Sequence, residues 1–142
     1  MNRFILLLIA GLWSGQANAQ TAFLDKREFS NKTGIVRVKL GVSHSRQGAV
    51  QLTVRLKGAG KDEQTPGAII SDSVSIVPKE FKIPPNKLRK VLISFEPKVS
   101  TRTPFFACVL YQPTVERMDR NGRAGGSMLL ATESCSRFWV IP

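Results

Sequence analysis

The chain is 142 residues long, 42% hydrophobic and 22% charged, with a formal net charge of +11 from 21 basic and 10 acidic residues. That length suits one domain with a single two-layer core and leaves no room for a second. One histidine, two cysteines and singly scattered acids argue against a metal centre and against a paired acid–base site, and the charge favours anionic surroundings.

Arg3 precedes the apolar run Phe4 to Trp13, and Ala17-Asn18-Ala19 supplies the small residues that a signal peptidase reads. The run is short against the ~20 residues that span a bilayer, so the expectation is a cleaved export signal over residues 1–19 and no stable membrane insertion. One domain over residues 20–142 remains. Removing the signal loses only Arg3 from the basic residues, and such a charge would suggest nucleic acid in a cytosolic protein. Export argues against nucleic acid and for envelope surfaces, acidic proteins or a carboxylate held at a defined site. In an oxidising periplasm, Cys108 and Cys135 read as one disulfide. They do not form a Cys-x-x-Cys redox pair, and His44 lies far from both in sequence, so neither a redox site nor a metal site is expected.

Ile35, Val36, Val38, Leu40 and Val42 alternate with Arg37, Lys39 and Gly41, and Val50, Leu52, Val54 and Leu56 alternate with Gln51, Thr53, Arg55 and Lys57. Each run reads as a half-buried strand. Ser43 to Gly48 separates them, and Lys57 to Gly67 reads as a polar, glycine-rich loop with no hydrophobic anchor. Strand segments follow at Ile69 to Ile76, at Phe81 and Ile83, and at Leu88, Val91, Ile93 and Phe95. Pro78, Pro84 and Pro85 rule out a helix there and require tight turns. Phe105 to Tyr111 is a near-continuous apolar strand. Thr114 to Ser127 reads as a mobile basic loop, and Met128 to Ala131 with Phe138 to Ile141 as a final long strand or a bulged pair. No segment keeps the spacing of an amphipathic helix. About seven short strands at such spacing predict an all-β, immunoglobulin-like antiparallel sandwich.

Catalytic chemistry is not legible. His44 lies between Ser43 and Ser45, but neighbours on a strand end point to opposite faces, so they make no triad. No phosphate loop, metal-ligand cluster or cofactor fingerprint is present, which predicts no enzyme, no cofactor and no metal. Asn31-Lys32-Thr33 matches a glycosylation sequon and is read as a turn.

Three stretches resemble the N-terminal domain of the PapD-like periplasmic chaperones of the chaperone–usher pilus pathway. Leu24 to Phe29, followed by Ile35 to Val38, resembles the family's opening segment and second strand. Ile76-Val77-Pro78, Phe81, Ile83-Pro84-Pro85, Val91 and Ile93 are similar to its Pro-x-x-Phe-x-Leu-x-Pro-Gly segment and the Val-x-Ile that follows. Phe105 to Pro113 and Arg137 to Pro142 resemble its two closing strands, the last of which reads Lys-Leu-Phe-Tyr-Arg-Pro in the family.

The resemblance implies a chaperone or accessory factor for pilus subunits. Such a protein lends a strand to a pilin-like client that lacks one, with an outer-membrane usher as a further partner. It also implies two basic residues that grip the client's C-terminal carboxylate. These fall on Arg27, with Lys26 as the alternative, and on Arg137, where the family has Lys. Stepping upstream at even spacing, the lent residues are Met128, Leu130 and Thr132, expected on the face of Arg137. A disulfide between the two closing strands is likewise a feature of one subgroup. The family has a second sandwich domain, whereas this chain stops at the proline that begins its linker, so a single-domain version is expected. A different class of reading is a secreted structural or adhesive component that binds anionic envelope material through its basic face.

Overall fold

A computed structural model describes residues 20–46, 48–113 and 131–142. The alternating runs pair into two sheets. One has the order β1 (Gln20–Leu24), β3 (Val36–His44), β8 (Arg89–Phe95), β6 (Val74–Val77). The other runs β2 (Glu28–Ser30), β10 (Thr132–Ile141), β9 (Thr103–Pro113), β4 (Val50–Ala59), β5 (Pro66–Ile69), with β7 (Glu80–Ile83) also on β4. No helix occurs among the described residues.

The expected all-β, immunoglobulin-like sandwich is therefore present, with two corrections. Ten strands among the described residues replace about seven: β1 and β2 are additional, and the segment from Ile69 to Ile76 divides into the four-residue β5 and β6, too short to show a period. The second sheet is also mixed: β2 runs parallel to the end of β10, with Glu28 opposite Trp139 and Ser30 opposite Ile141.

Alternation decides what is buried. Val36, Val38, Leu40 and Val42 of β3 and Val91, Ile93 and Phe95 of β8 face Val50, Leu52, Val54 and Leu56 of β4 and Phe105, Ala107, Val109 and Tyr111 of β9. Four phenylalanines close one part of this core. Phe138 meets Phe29 edge-on at 5.4 Å between centroids, while Phe95 and Phe105 lie 5.1 Å apart.

Sheet changes occur at the turn chemistry. Pro84-Pro85-Asn86 carries the chain from β7 in one sheet to β8 in the other, with Asn86 at φ 60° and its N–H donating to His44 O at 2.8 Å. The segment expected as one strand from Ile69 to Ile76 instead breaks between β5 and β6, which belong to different sheets. The Asn31 turn is present, closed by the Gly34 N–H to Asn31 O bond of 3.0 Å.

Candidate functional site

β10 is the strand around which a site can be built, because its two sides differ. On one side β9 pairs with it from Thr132 to Val140. On the other, β2 reaches only Trp139 to Ile141. Among the described residues, Glu133 to Phe138 has no strand partner on that second side. An unpaired edge of this length offers main-chain donors and acceptors to an incoming strand.

The composition of the edge explains why it stays open. Phe138 and Val140 enter the core, whereas Thr132, Ser134 and Ser136, at the same parity, are half-buried and polar. With so little apolar area there, upstream β10 cannot pull another strand over itself. β1 of the opposite sheet lies beside it, and Ser136 Oγ donates to Ala22 O at 3.4 Å.

The odd-numbered side chains of β10 point away from the core onto the outer face of the six-stranded sheet. There Lys57, Phe106 and Arg137 lie in one row across β4, β9 and β10. Phe106 is buried although it faces outward and lies outside the core cluster. The near-continuous apolar run Phe105 to Tyr111 thus has a physical reason, because both faces of β9 are covered here. Glu133 binds Lys57 and approaches Arg55 at 4.0 Å, which offsets part of the positive charge of the upstream face.

Arg137 is held by three groups. Its Nη1 donates to Gln64 Oε1 at 3.0 Å and to Glu63 O at 3.2 Å, and its guanidinium lies 5.3 Å from the Trp139 ring centroid. The same ring receives Arg102 at 3.9 Å, and Arg102 pairs with Glu28 at 3.5 Å. Residues 57–67 were expected to be an unanchored loop. They instead form the end of the β4–β5 hairpin, and the Asp62 carboxylate organises its tip. It accepts from Thr65 Oγ1 at 2.8 Å and from the N–H groups of Gln64 and Thr65 at 3.1 Å each. The Thr65 hydroxyl first, then the backbone N–H donors, hold the Asp62 carboxyl below the usual carboxylate range.

The predicted anchor pair is brought together only in part. The Trp139 N–H donates to Arg27 O at 2.8 Å, so the backbone of residue 27 lies against β10. The Arg27 side chain is exposed, while Lys26 Nζ sits 4.9 Å from the Phe29 ring centroid. Thr132 is the first residue of β10, opposite Tyr111. It does not share the face of Arg137 as expected: the two are an odd number of positions apart on a continuous strand, which places them on opposite faces. Met128, Leu130 and the loop from Thr114 to Ser127 fall outside the described residues.

Cys108 and Cys135 are directly opposed in register and disulfide-bonded, with Cα atoms 4.1 Å apart. Among the described residues, the grouping of metal-ligand type is Cys108, Glu133 and Cys135, and both of its sulfurs are engaged in that bond. His44 ends β3 in a buried position, where Nε2 donates to Ile83 O at 2.7 Å. That bond joins the two sheets and gives the imidazole a structural role. Among the described residues, no helix is long and apolar enough to cross a membrane.

No protein-family model and no curated protein matches the sequence. Solved structures do match. The complex of the Salmonella enterica SafA pilin with the SafB chaperone superposes with a TM-score of 0.62 at 15% identity, over 88% of this chain and 55% of that one. The E. coli chaperone DraB gives 0.59 at 12% identity, over 88% and 56%, and the Pseudomonas aeruginosa CupB2 chaperone gives 0.53 at 13%, over 86% and 55%. The fold is that of the pilus chaperones. The chain spans a little over half the length of each of these three. In this chain β10 is the last strand among the described residues, and Arg137 lies on its outward face.

Proposed function

We propose that this protein is a periplasmic chaperone or accessory factor for pilus-subunit assembly, acting on pilin-like subunits by strand addition and catalysing no reaction. The observation that carries the reading is the side of β10 from Glu133 to Phe138 that no described strand pairs, on a strand otherwise fixed by β9 and the Cys108–Cys135 bond. The fold likeness to proteins described as chaperones, one of them bound to a pilin, supports it.

In this reading residues 1–19 are a cleaved export signal and residues 20–142 act as one domain, with an outer-membrane usher as a further partner. The client's exposed strand pairs with the free N–H and C=O groups of β10, and Met128, Leu130 and Thr132 enter its groove. Its C-terminal carboxylate takes the Arg137 guanidinium as a two-pronged partner, with Arg27 or Lys26 as the second cation. Before that, the carboxylate must displace Gln64 and the Glu63 carbonyl, which hold Arg137 in the free protein.

The test is co-purification from periplasm of the wild type beside the Arg27→Ala/Arg137→Ala double variant, with mass spectrometry of the accompanying protein. Strand lending with a carboxylate anchor requires a secreted subunit with the wild type and its loss from the double variant. If the wild type comes down alone, or both forms carry the same anionic envelope material, the reading fails and a surface component that binds such material replaces it.

A further inference from the structure

The outer face of the four-stranded sheet lies away from β10 and has no part in the proposed strand addition. Its registers set Phe23, Gly41 and Lys90 in one row and Lys39, Leu92 and Val77 in the next. A solvated face of an antiparallel sheet is ordinarily polar. This one is not: Phe23 is 48% exposed, Leu88 55% and Val77 63%, and Leu92 is exposed as well. Grouped apolar side chains in water, unlike single ones, mark a surface that another molecule covers.

The apolar group has a shape. Phe23 lies down across Gly41, where a Cβ atom would come within 2.4 Å of the ring's Cζ, so only glycine permits this placement. Phe23 and Leu88 line a groove of about 310 Å³ that also touches Leu40, Gly41, Lys39, Lys90 and Asp25. That volume is at the low end for small-ligand pockets, which suits one or two side chains of an extended segment.

The charge of the face selects the occupant. Arg37, Lys39 and Lys90 are exposed on it and form no ion pair among the described residues, with Asp25 as the acid at the groove. On the outer face of the six-stranded sheet, by contrast, Lys57 and Arg55 share the Glu133 carboxylate. We infer that this groove docks an acidic, extended protein segment, whose apolar side chain seats between Phe23 and Leu88 while its carboxylates meet Lys39 and Lys90. The apolar seat gives affinity, and the lysines give orientation and rate of encounter.

The probe is a dye-labelled acidic octapeptide with a central Leu-Phe pair flanked by Glu and Asp, read by fluorescence anisotropy at low and physiological salt. Two control peptides replace its acids with Gln and Asn, or its Leu-Phe with Gly-Gly. Docking predicts that the parent peptide binds wild type, and that each control binds about tenfold more weakly or worse. Leu88→Asp and Lys39→Glu/Lys90→Glu, at exposed positions that leave the core intact, should weaken the parent peptide to the same degree with unchanged melting temperature. Gln64→Ala, on the other sheet, should leave it unaltered. The inference is overturned if the Gly-Gly peptide binds as tightly as the parent, which would mean charge alone. It is equally overturned if the groove variants bind like wild type, or if anionic phosphatidylglycerol vesicles bind and no peptide does. The co-purification test can fail without affecting any of these outcomes, because the two faces are separate.

Discussion

Arg137 on β10 donates to the side-chain oxygen of Gln64 at 3.0 Å and to the Glu63 carbonyl at 3.2 Å, so the tip of the β4–β5 hairpin presents two oxygens to one guanidinium. Both bonds come from Nη1, so the other guanidinium nitrogens are left to other acceptors. If Arg137 is the proposed carboxylate anchor, the hairpin tip occupies the place that a client's C-terminus would take. Gln64→Ala removes one of the two oxygens, and Asp62→Ala loosens the turn that presents both. Each should raise the affinity of a carboxylate-terminated pilin-type peptide by about 3- to 10-fold, the scale of a solvent-exposed charge-assisted bond. Isothermal titration of that peptide beside its C-terminal amide reads this directly. Equal affinities for the acid and the amide in all three proteins would remove Arg137 from the anchor role.

The Cys108–Cys135 bond fixes β10 to β9 next to the open edge. Closing a loop of sequence separation 27, it should contribute about 3 kcal/mol by restricting the unfolded chain. Reduction, or the Cys108→Ala/Cys135→Ala variant, should lower the free energy of unfolding in urea by that amount. The edge strand should also lose protection first in amide exchange. A double variant as stable as wild type, with unchanged exchange along Thr132 to Phe138, would show that the β9 ladder alone holds the strand.

Phe106 and Phe138 separate two kinds of burial on adjacent strands. Phe138 sits among Phe29, Phe95 and Phe105 in the core, and Phe138→Ala should cost about 3–5 kcal/mol. Phe106 is covered from outside, in the row of Lys57 and Arg137, and those long side chains can settle into the space it leaves. Phe106→Ala should then cost less, about 1.5–3 kcal/mol. Equal costs in urea unfolding would mean that the outer cover is as rigid as the core.

Much of the sandwich is legible in the sequence where burial is one-sided. Val36 to Val42 and Val50 to Leu56 alternate because one face of each strand meets the other sheet. Pro84-Pro85-Asn86 marks the crossover because proline and a left-handed asparagine suit few other conformations. The start of β10 is illegible for the converse reason. Thr132 to Arg137 is half-buried or exposed and holds no large apolar side chain, so its strand character comes from pairing with β9 and leaves no hydrophobic period. The same one-sidedness hides the capped state of Arg137, since Gln64 is 73 positions away and nothing local marks it as a partner. Arg27 could be placed beside the last strand from its motif, but not aimed: the contact that brings it there is made by its carbonyl, which every residue has.

Tyr111 supplies a prediction that depends on pH. Its ring is fully buried, its hydroxyl has no hydrogen-bond partner among the described residues, and burial pushes its pKa from 10.0 up to about 12. The unfolded chain gives up this proton near pH 10 and the folded one near 12, so ionisation draws the protein toward the unfolded state. The contribution to stability is fully present below pH 10. It falls as pH rises through the interval to about 12, by about 2–3 kcal/mol in all. Tyr111→Phe keeps the ring and removes the ionisable group along with its unmet hydroxyl. At neutral pH it should be as stable as wild type or slightly more so, because an unpaired buried hydroxyl contributes nothing that the ring does not. Urea unfolding at about pH 9 and about pH 11.5 distinguishes the proteins. Lysines titrate in both, so the diagnostic is the difference: wild type should lose more stability than Tyr111→Phe over that interval. Identical losses would mean that the phenol reaches water, or a partner, in solution.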